Sequence, residues 1–174
     1  MLSHRLLDRT HYAYSWIDKY LTDIPDDRWD DTPLNLDSNL TWQLGHLTLS
    51  AYYHSIMVIK DHQPDILQVF PLREYSKLFH RGSARAVVGT FSPASLRENW
   101  GIICARSLQI IENIRPEELL EPLVEQSYPH PIATTKEEAL EWNVLHNHYH
   151  WGQVGMIRRA LLQAPYDYWS NDLK

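Results

Sequence analysis

Several features that define protein classes are scarce in this sequence. Among 174 residues there is one cysteine, Cys104, so no disulfide can form within the chain. No apolar run approaches the roughly 20 residues that a membrane-spanning helix needs. The N-terminal residues alternate polar and apolar side chains, unlike a signal peptide. We therefore expect a cytoplasmic protein that has no membrane segment.

Charge of one sign is also limited. Sixteen Lys and Arg residues against 22 Asp and Glu give a formal net charge of -6. The basic residues are scattered, whereas phosphate binding requires a basic stripe, so nucleic acid is not an expected partner. No Gly- and Ser-rich linker divides the chain. With 44% hydrophobic residues, residues 1–174 are expected to form a single domain with a sizeable core.

Four segments have apolar residues that recur every three or four positions, which predicts four helices. The predicted helices run from about Leu6 to Ile24, from Leu40 to about Lys60, from Ser92 to Ile114 and from Thr134 to Ala164. A proline follows each segment, and proline disfavours helical geometry in the residue before it. These prolines are Pro25, Pro64, Pro116 and Pro165.

Side chains that can cap a helix N-terminus precede three of these segments. They are residues 37–39 with the sequence DSN, the pair Ser92-Pro93, and Thr134 with Glu137, which have the spacing of a capping box. Strand-like alternation is absent except at residues 86–88, which are too few for a sheet, so an all-α fold is predicted. The connection between the second and third helices, of about 30 residues, predicts a crossover along the bundle, with a short extra helix from Leu72 to His80.

Three histidines alternate in the segment LHNHYHWGQVG at residues 145–155. At about 100° per residue, His146 and His150 share one helix face, whereas His148 points nearly the opposite way, toward solvent or a subunit interface. The spacing of four lets two imidazoles bind one divalent ion. His46, in TWQLGHL on the expected inward face of the second helix, is the candidate third ligand. The alternative is that hydrogen bonds alone satisfy these histidines.

Other polar residues have less specific signals. Gln153 is expected either to orient a ligand or water or to bond to backbone. His54 lies two turns beyond His46 but is rotated by about 80°, so it ranks behind as a ligand. Gly45 and Gly152, each beside a proposed ligand, are expected to admit a neighbouring helix closely. The catalytic residues are unknown, although helical carboxylates and tyrosines are available: Asp8, Asp18, Glu98, Glu112, Tyr12, Tyr14, Tyr52, Tyr53 and Tyr149.

The two histidine segments, WQLGHL at 42–47 and LHNHYHWGQVG at 145–155, resemble those of the DinB/YfiT-like superfamily of metal-binding four-helix bundles. The similarity extends over nearly the whole chain in helix order, but only these segments are specific. It implies that His46, His146 and His150 are the metal ligands. One departure is visible, because Trp151 stands where the family usually has an arginine.

This resemblance also implies an up-down-down-up four-helix bundle and a homodimer. The implied cofactor is one divalent metal ion, zinc or nickel first, with iron and copper as alternatives. Relatives include thiol S-transferases, a mycothiol-dependent maleylpyruvate isomerase and metal-dependent hydrolases. The expected function is therefore metal-dependent activation of a low-molecular-weight thiol or of water, acting on a small-molecule substrate. A non-catalytic metal-binding or stress-associated protein is the alternative, and a metal-free helical interaction module is a third.

Overall fold

Long helices form at all four segments that have apolar periodicity, in a computed structural model that describes residues 2–168, with side chains from residue 4. The helices are α1 (Leu2–Leu21), α2 (Leu40–Tyr52), α3 (Pro64–Val69), α4 (Leu72–Phe79), α5 (Pro93–Asn113), α6 (Pro116–Leu119) and α7 (Lys136–Leu162). A π-helical turn, Tyr53–Met57, and the helical residues Val58–Lys60 prolong α2. Residues 2–168 contain no strand, so the all-α prediction is confirmed.

The predicted caps form, with one change of register. The side chain of Asn39 accepts a hydrogen bond from the amide of Trp42, and that of Ser92 accepts one from Ser95. The capping box of α7 pairs Thr135 with Glu138, so the predicted pair of Thr134 and Glu137 is wrong by one residue. The carbonyl of Thr134 instead accepts a hydrogen bond from Leu123, which keeps Thr134 in the preceding loop.

The prolines have a second role that the sequence reading did not assign. The helix that contains α2 ends before Asp61, whose φ of 64° is left-handed, and Pro64 then opens α3. Pro116 likewise opens α6. Proline suits the first helical turn because the amides there have no intrahelical partner. The expected extra helix is present as α4, and the strand-like residues 86–88 lie in and just after a 3₁₀ turn, Ala84–Val87.

Each long helix packs against two of the others. Helix α1 contacts α5 and α7, and α2 contacts the same two helices. Arg9 on α1 pairs with Glu141 on α7, and Asp23, two residues after the end of α1, pairs with Arg158 on α7. Buried apolar residues from all four helices join in one core cluster. The short helix α4 packs on α2 beside its N-terminal half, where His46 lies.

A polar group lies at the centre of this core. The hydroxyl of Tyr14 on α1 accepts a 2.9 Å hydrogen bond from Nδ2 of Asn143 on α7 and lies 2.8 Å from Oγ of Ser107 on α5. Burial raises the pKa of Tyr14 well above its usual value, so the phenol keeps its proton. Two buried hydrogen bonds to the same hydroxyl group therefore join three helices.

No helix among the residues described here combines the length and the apolar character that crossing a bilayer requires.

Candidate metal centre

The structure brings together the three histidines proposed from the sequence. His46 lies on α2, whereas His146 and His150 lie one turn apart on α7. One ring nitrogen from each lies within 4.8 Å of the other two. The Nε2 atoms of His146 and His150 are 3.2 Å apart, and the ring centroid of His46 is 4.9 Å from that of His150.

Hydrogen bonds at the outer nitrogens leave a lone pair on the inner nitrogen of two of these histidines. Nδ1 of His46 lies 2.8 Å from the backbone carbonyl of Phe79, and Nδ1 of His150 lies 2.6 Å from Oε1 of Gln43. Because both oxygens are acceptors, each Nδ1 carries the hydrogen and each Nε2 keeps a lone pair. Nε2 of His46 also lies 3.4 Å from Oγ of Ser50.

This arrangement fits a divalent ion. Two nitrogens bound at 2.0–2.1 Å to one tetrahedral ion lie about 3.3 Å apart, close to the separation of the Nε2 atoms of His146 and His150. Neutral imidazole nitrogen is a preferred ligand of zinc, nickel, copper and iron. The three histidines could therefore hold one such ion, and their chemistry does not select among these metals.

Burial keeps the three imidazoles neutral. It lowers the pKa of His46, despite the hydrogen bond to Phe79 that acts in the opposite sense. Burial and the neighbouring His46 lower the pKa of His146 to about 4. Burial, followed by the effects of His146 and His46, lowers that of His150 to about 3. All three rings can therefore act as ligands at neutral pH without first losing a proton.

Gln43 is a site residue that the sequence reading missed. Its Oε1 accepts the hydrogen bond from His150, while its Nε2 donates to Oγ of Ser38 and to Oε1 of Gln153, each at 2.8 Å. Gln153, proposed to orient a ligand or water, is thus linked to His150 through the side chain of Gln43. Gln43 precedes His46 by three residues, and this helical spacing was the available signal.

Aromatic rings and the crossover segment hold the site in place. The indole of Trp42 stacks on His46, with 4.7 Å between centroids and 7° between planes, and its Nε1 donates to the carbonyl of Gly82. Trp142 lies against His146, whose buried Nδ1 has no hydrogen-bond partner in the described part of the chain. His46 is half-buried, at the edge of the core rather than within it.

The two glycines beside the ligands differ in their surroundings. A Cβ on Gly45 would lie 2.3 Å from Cε1 of Phe79, so Gly45 admits the buried Phe79 ring, and α4 with it, close to α2. A Cβ on Gly152 would meet nothing within 4 Å. The expected close approach is therefore confirmed at Gly45 and wrong at Gly152, which faces open space.

Two further histidines, His54 and His130, extend the cluster beyond the triad. His54 is the second residue of the π turn and is 7% exposed. Its ring centroid lies 5.6 Å from that of His146. Its Nδ1 is 2.7 Å from Nε2 of His130, which comes from the loop before α7. Burial, followed by the nearby His130, His146 and His46, lowers the pKa of His54 well below its usual range.

His54 remains outside the group of three converging nitrogens, yet its position next to His146 was not expected from its helical rotation. A π turn contains more residues than an α turn, which changes the direction of the side chains within it, and such turns often occur at functional sites. No sequence signal identified His130, which lies between two prolines outside any helix.

The remaining candidates lie apart from the triad or contact only its edge. No carboxylate belongs to the group of ligand atoms found among residues 2–168. Tyr149 meets His150 edge-on with 5.2 Å between centroids, and Tyr53 stacks on His130. His148 is exposed and lies against Trp151, whose Nε1 donates to the carbonyl of Ala13 on α1. This hydrogen bond from Trp151 joins α7 to α1.

Comparison with known proteins identifies the family. The sequence profile of the DinB superfamily matches residues 9–154. The chain belongs to the DinB superfamily. A solved structure described as a conserved protein of locus from Enterococcus faecalis is similar, with a TM-score of 0.70 and 13% sequence identity, over 93% of this chain and 98% of that one. At this identity the likeness concerns the fold alone. No curated protein matches the sequence.

The family and the geometry agree on one feature of the site. The DinB superfamily is associated with metals, and the three clustered histidines of this DinB-superfamily chain form a site where an ion fits.

Proposed function

We propose that this DinB-superfamily protein binds one divalent metal ion through His46, His146 and His150 and uses it to activate a low-molecular-weight thiol or water, as an S-transferase or hydrolase. The observation that carries the proposal is the convergence of three neutral imidazoles, with one nitrogen of each inside a 4.8 Å group. Zinc and nickel are the first candidates, and iron and copper are alternatives.

The ligand number supports a catalytic use of the ion. Three protein ligands leave one position of a tetrahedral ion for water or substrate, as in catalytic zinc sites. When bound, the ion lowers the pKa of a coordinated thiol or water and so supplies a nucleophile near neutral pH. Gln43 fixes the tautomer of His150, while Trp42 and Trp142 restrict the rings of His46 and His146.

A second candidate is a non-catalytic metal-binding or stress-associated protein. The absence of any carboxylate from the ligand group formed by the described residues favours it, because a general acid or base has not been identified there.

Metal analysis of protein purified without an affinity tag tests the site. We expect about one divalent ion per chain, lost in His46→Ala, His146→Ala and His150→Ala. His148→Ala is the matched control, because His148 lies in the same helix but is exposed and outside the triad. Loss of the ion in the control alone, or equal metal content in all four variants, would contradict the assignment.

A reaction assay separates the enzyme from the binding protein. The metal-loaded protein is incubated with an electrophile and with bacillithiol, mycothiol or glutathione, and thiol consumption is followed with and without the ion. Acceleration that requires the ion supports the S-transferase. If no thiol reacts faster and no ester or amide is hydrolysed, the non-catalytic candidate is favoured.

We further propose that the chain folds as a single domain with the up-down-down-up course. Residue numbers rise together in the pairs Arg9–Glu141 and Asp23–Arg158, which supports parallel α1 and α7. They run oppositely in Gln43–Gln153 and His46–His150, which supports antiparallel α2 and α7. A homodimer in the cytoplasm completes the proposal, and light scattering of the purified protein tests its oligomeric state.

A further inference from the structure

Backbone amides determine which ring nitrogens of His54 and His130 carry a hydrogen. Nδ1 of His130 lies 2.8 Å from the amide nitrogen of Ala133 and 3.3 Å from that of Ile132, and both amides donate to it. A ring nitrogen that accepts these bonds carries no hydrogen, so neutral His130 has its hydrogen on Nε2. The loop before α7 therefore sets the tautomer of this histidine.

The same reasoning passes to His54. Nε2 of His130 is 2.7 Å from Nδ1 of His54, and because the hydrogen is on His130, Nδ1 of His54 is the acceptor. Neutral His54 consequently carries its own hydrogen on Nε2. The two backbone amides therefore fix the tautomers of both rings. The N–H group of His54 is at Nε2, the ring nitrogen that does not contact His130.

This N–H group has no protein acceptor in the residues that the structure describes, although the His54 side chain is 7% exposed. The His54 ring meets that of His146 edge-on, with 5.6 Å between centroids and 71° between planes. An N–H group that no protein group accepts can donate its hydrogen to a water or to a bound ligand. The ring that carries it adjoins His146 of the triad.

We propose that Nε2–H of His54 donates a hydrogen bond to the non-protein ligand held at the metal centre. The ligand class is an acceptor that binds the metal as a thiolate or a hydroxide, because a fixed donor favours anionic groups. This inference rests on the proposed metal site, and it adds to that site a residue that selects the deprotonated form of the ligand. His130 acts as a positioning residue behind His54.

The tautomer is tested directly by nitrogen NMR of protein that contains ¹⁵N-labelled histidine, with His54→Asn used to assign the signals. We expect the hydrogen of His54 on Nε2 at neutral pH in wild-type protein. A His54 that carries its hydrogen on Nδ1 would overturn the inference, whatever metal the protein binds.

Ligand binding is tested with azide, an anion that coordinates metals and accepts hydrogen bonds, added to cobalt-substituted protein and followed by visible absorption. His54→Asn places an acceptor oxygen near the position of Nδ1 and keeps the bond to His130, but it lacks the far N–H. We expect azide affinity to fall about tenfold or more in this variant. His54→Gln, whose longer side chain retains a donor near the Nε2 position, is expected to stay within about threefold of wild type.

The two possible failures are distinguishable. Wild-type protein that binds no cobalt contradicts the metal site, and the inference fails with it. Protein that binds cobalt but has the same azide affinity in wild type and His54→Asn contradicts the inference alone. Loss of cobalt from His54→Asn would also overturn it, because His54 would then be a metal ligand. Thermal unfolding of each variant verifies that it is folded.

Discussion

Oε1 of Gln43 on α2 accepts a 2.6 Å hydrogen bond from Nδ1 of His150 on α7. The bond crosses the interface between the two helices that carry the triad. It fixes the hydrogen of His150 on the outer nitrogen and directs the lone pair of Nε2 toward His146, 3.2 Å away. Gln43 itself is held by Ser38 and Gln153, so the orientation of its amide is determined by three partners.

Replacement of Gln43 is therefore expected to weaken metal binding without removing a ligand. In Gln43→Ala we expect affinity for zinc to fall about 10- to 100-fold, the usual effect of losing a group that orients a metal-bound histidine. Competition with a chromophoric chelator measures it. The control is Gln109→Ala, at an exposed position on α5, which should bind as wild type does. Equal affinity in both variants would contradict the role of Gln43.

The parts of the site that follow from local geometry could be predicted from sequence. The α-helical repeat alone places His146 and His150 on one face, because four residues turn through slightly more than one full revolution. His46 required the motif around it, since nothing local relates residue 46 to residue 146. The long helices were predictable for the same reason, because their apolar residues recur with the period of the helix.

The parts that depend on tertiary structure could not be predicted. His54 lies in a π turn, which no composition rule specifies, and His130 lies in an irregular loop. The capping box moved by one residue because the carbonyl of Thr134 is used by Leu123, a loop contact that a pattern of threonine and glutamate does not include.

Gly45 and Gly152 form a matched pair for a second prediction. In Gly45→Ala the new methyl group would overlap the ring of Phe79, whose carbonyl holds His46, and α4 must shift. We expect a loss of stability of about 1–3 kcal/mol, the typical cost of overpacking, together with weaker metal binding. In Gly152→Ala the methyl group enters open space, and stability should rise by as much as about 1 kcal/mol because alanine favours helix.

Urea unfolding of the two glycine variants measures these changes, and metal competition tests the effect on His46. A Gly45→Ala protein as stable as wild type would show that Phe79 moves at no cost. The comparison between the two positions separates the effect of packing from that of helix propensity, since both glycines lie within helices.

The lowered pKa of His150 predicts how stability depends on pH. Its pKa is 6.5 in an unfolded chain and about 3 in the folded protein, so between these values the unfolded state binds more protons. The free energy of unfolding of metal-free protein should therefore fall as pH decreases from 6.5 toward 3. With about 1.4 kcal/mol for each pKa unit, His150 alone should remove on the order of 2 kcal/mol between pH 6.5 and about 5.

Urea unfolding at both pH values, with a chelator present, checks this dependence. His150→Asn retains a donor for Gln43 but has no group that titrates in this range, so its stability should change less with pH. His148→Ala, which removes an exposed histidine, should retain the dependence of wild type. If the three proteins respond identically, protonation of His150 does not limit stability in acid.

The final prediction concerns the buried contact among α1, α5 and α7. Tyr14→Phe removes only the hydroxyl, and it leaves Nδ2 of Asn143 and Oγ of Ser107 without that partner inside the core. We expect the free energy of unfolding to fall by about 1–3 kcal/mol, the cost of an unsatisfied buried polar group. Tyr12→Phe is the control, because Tyr12 is 53% exposed and its hydroxyl is not buried in this network.

Tyr14 contacts none of the three triad histidines in a described hydrogen bond, so zinc affinity should be unchanged in both variants when measured below the unfolding transition. A Tyr14→Phe protein that keeps its stability but loses zinc would instead place this tyrosine in the function of the metal centre.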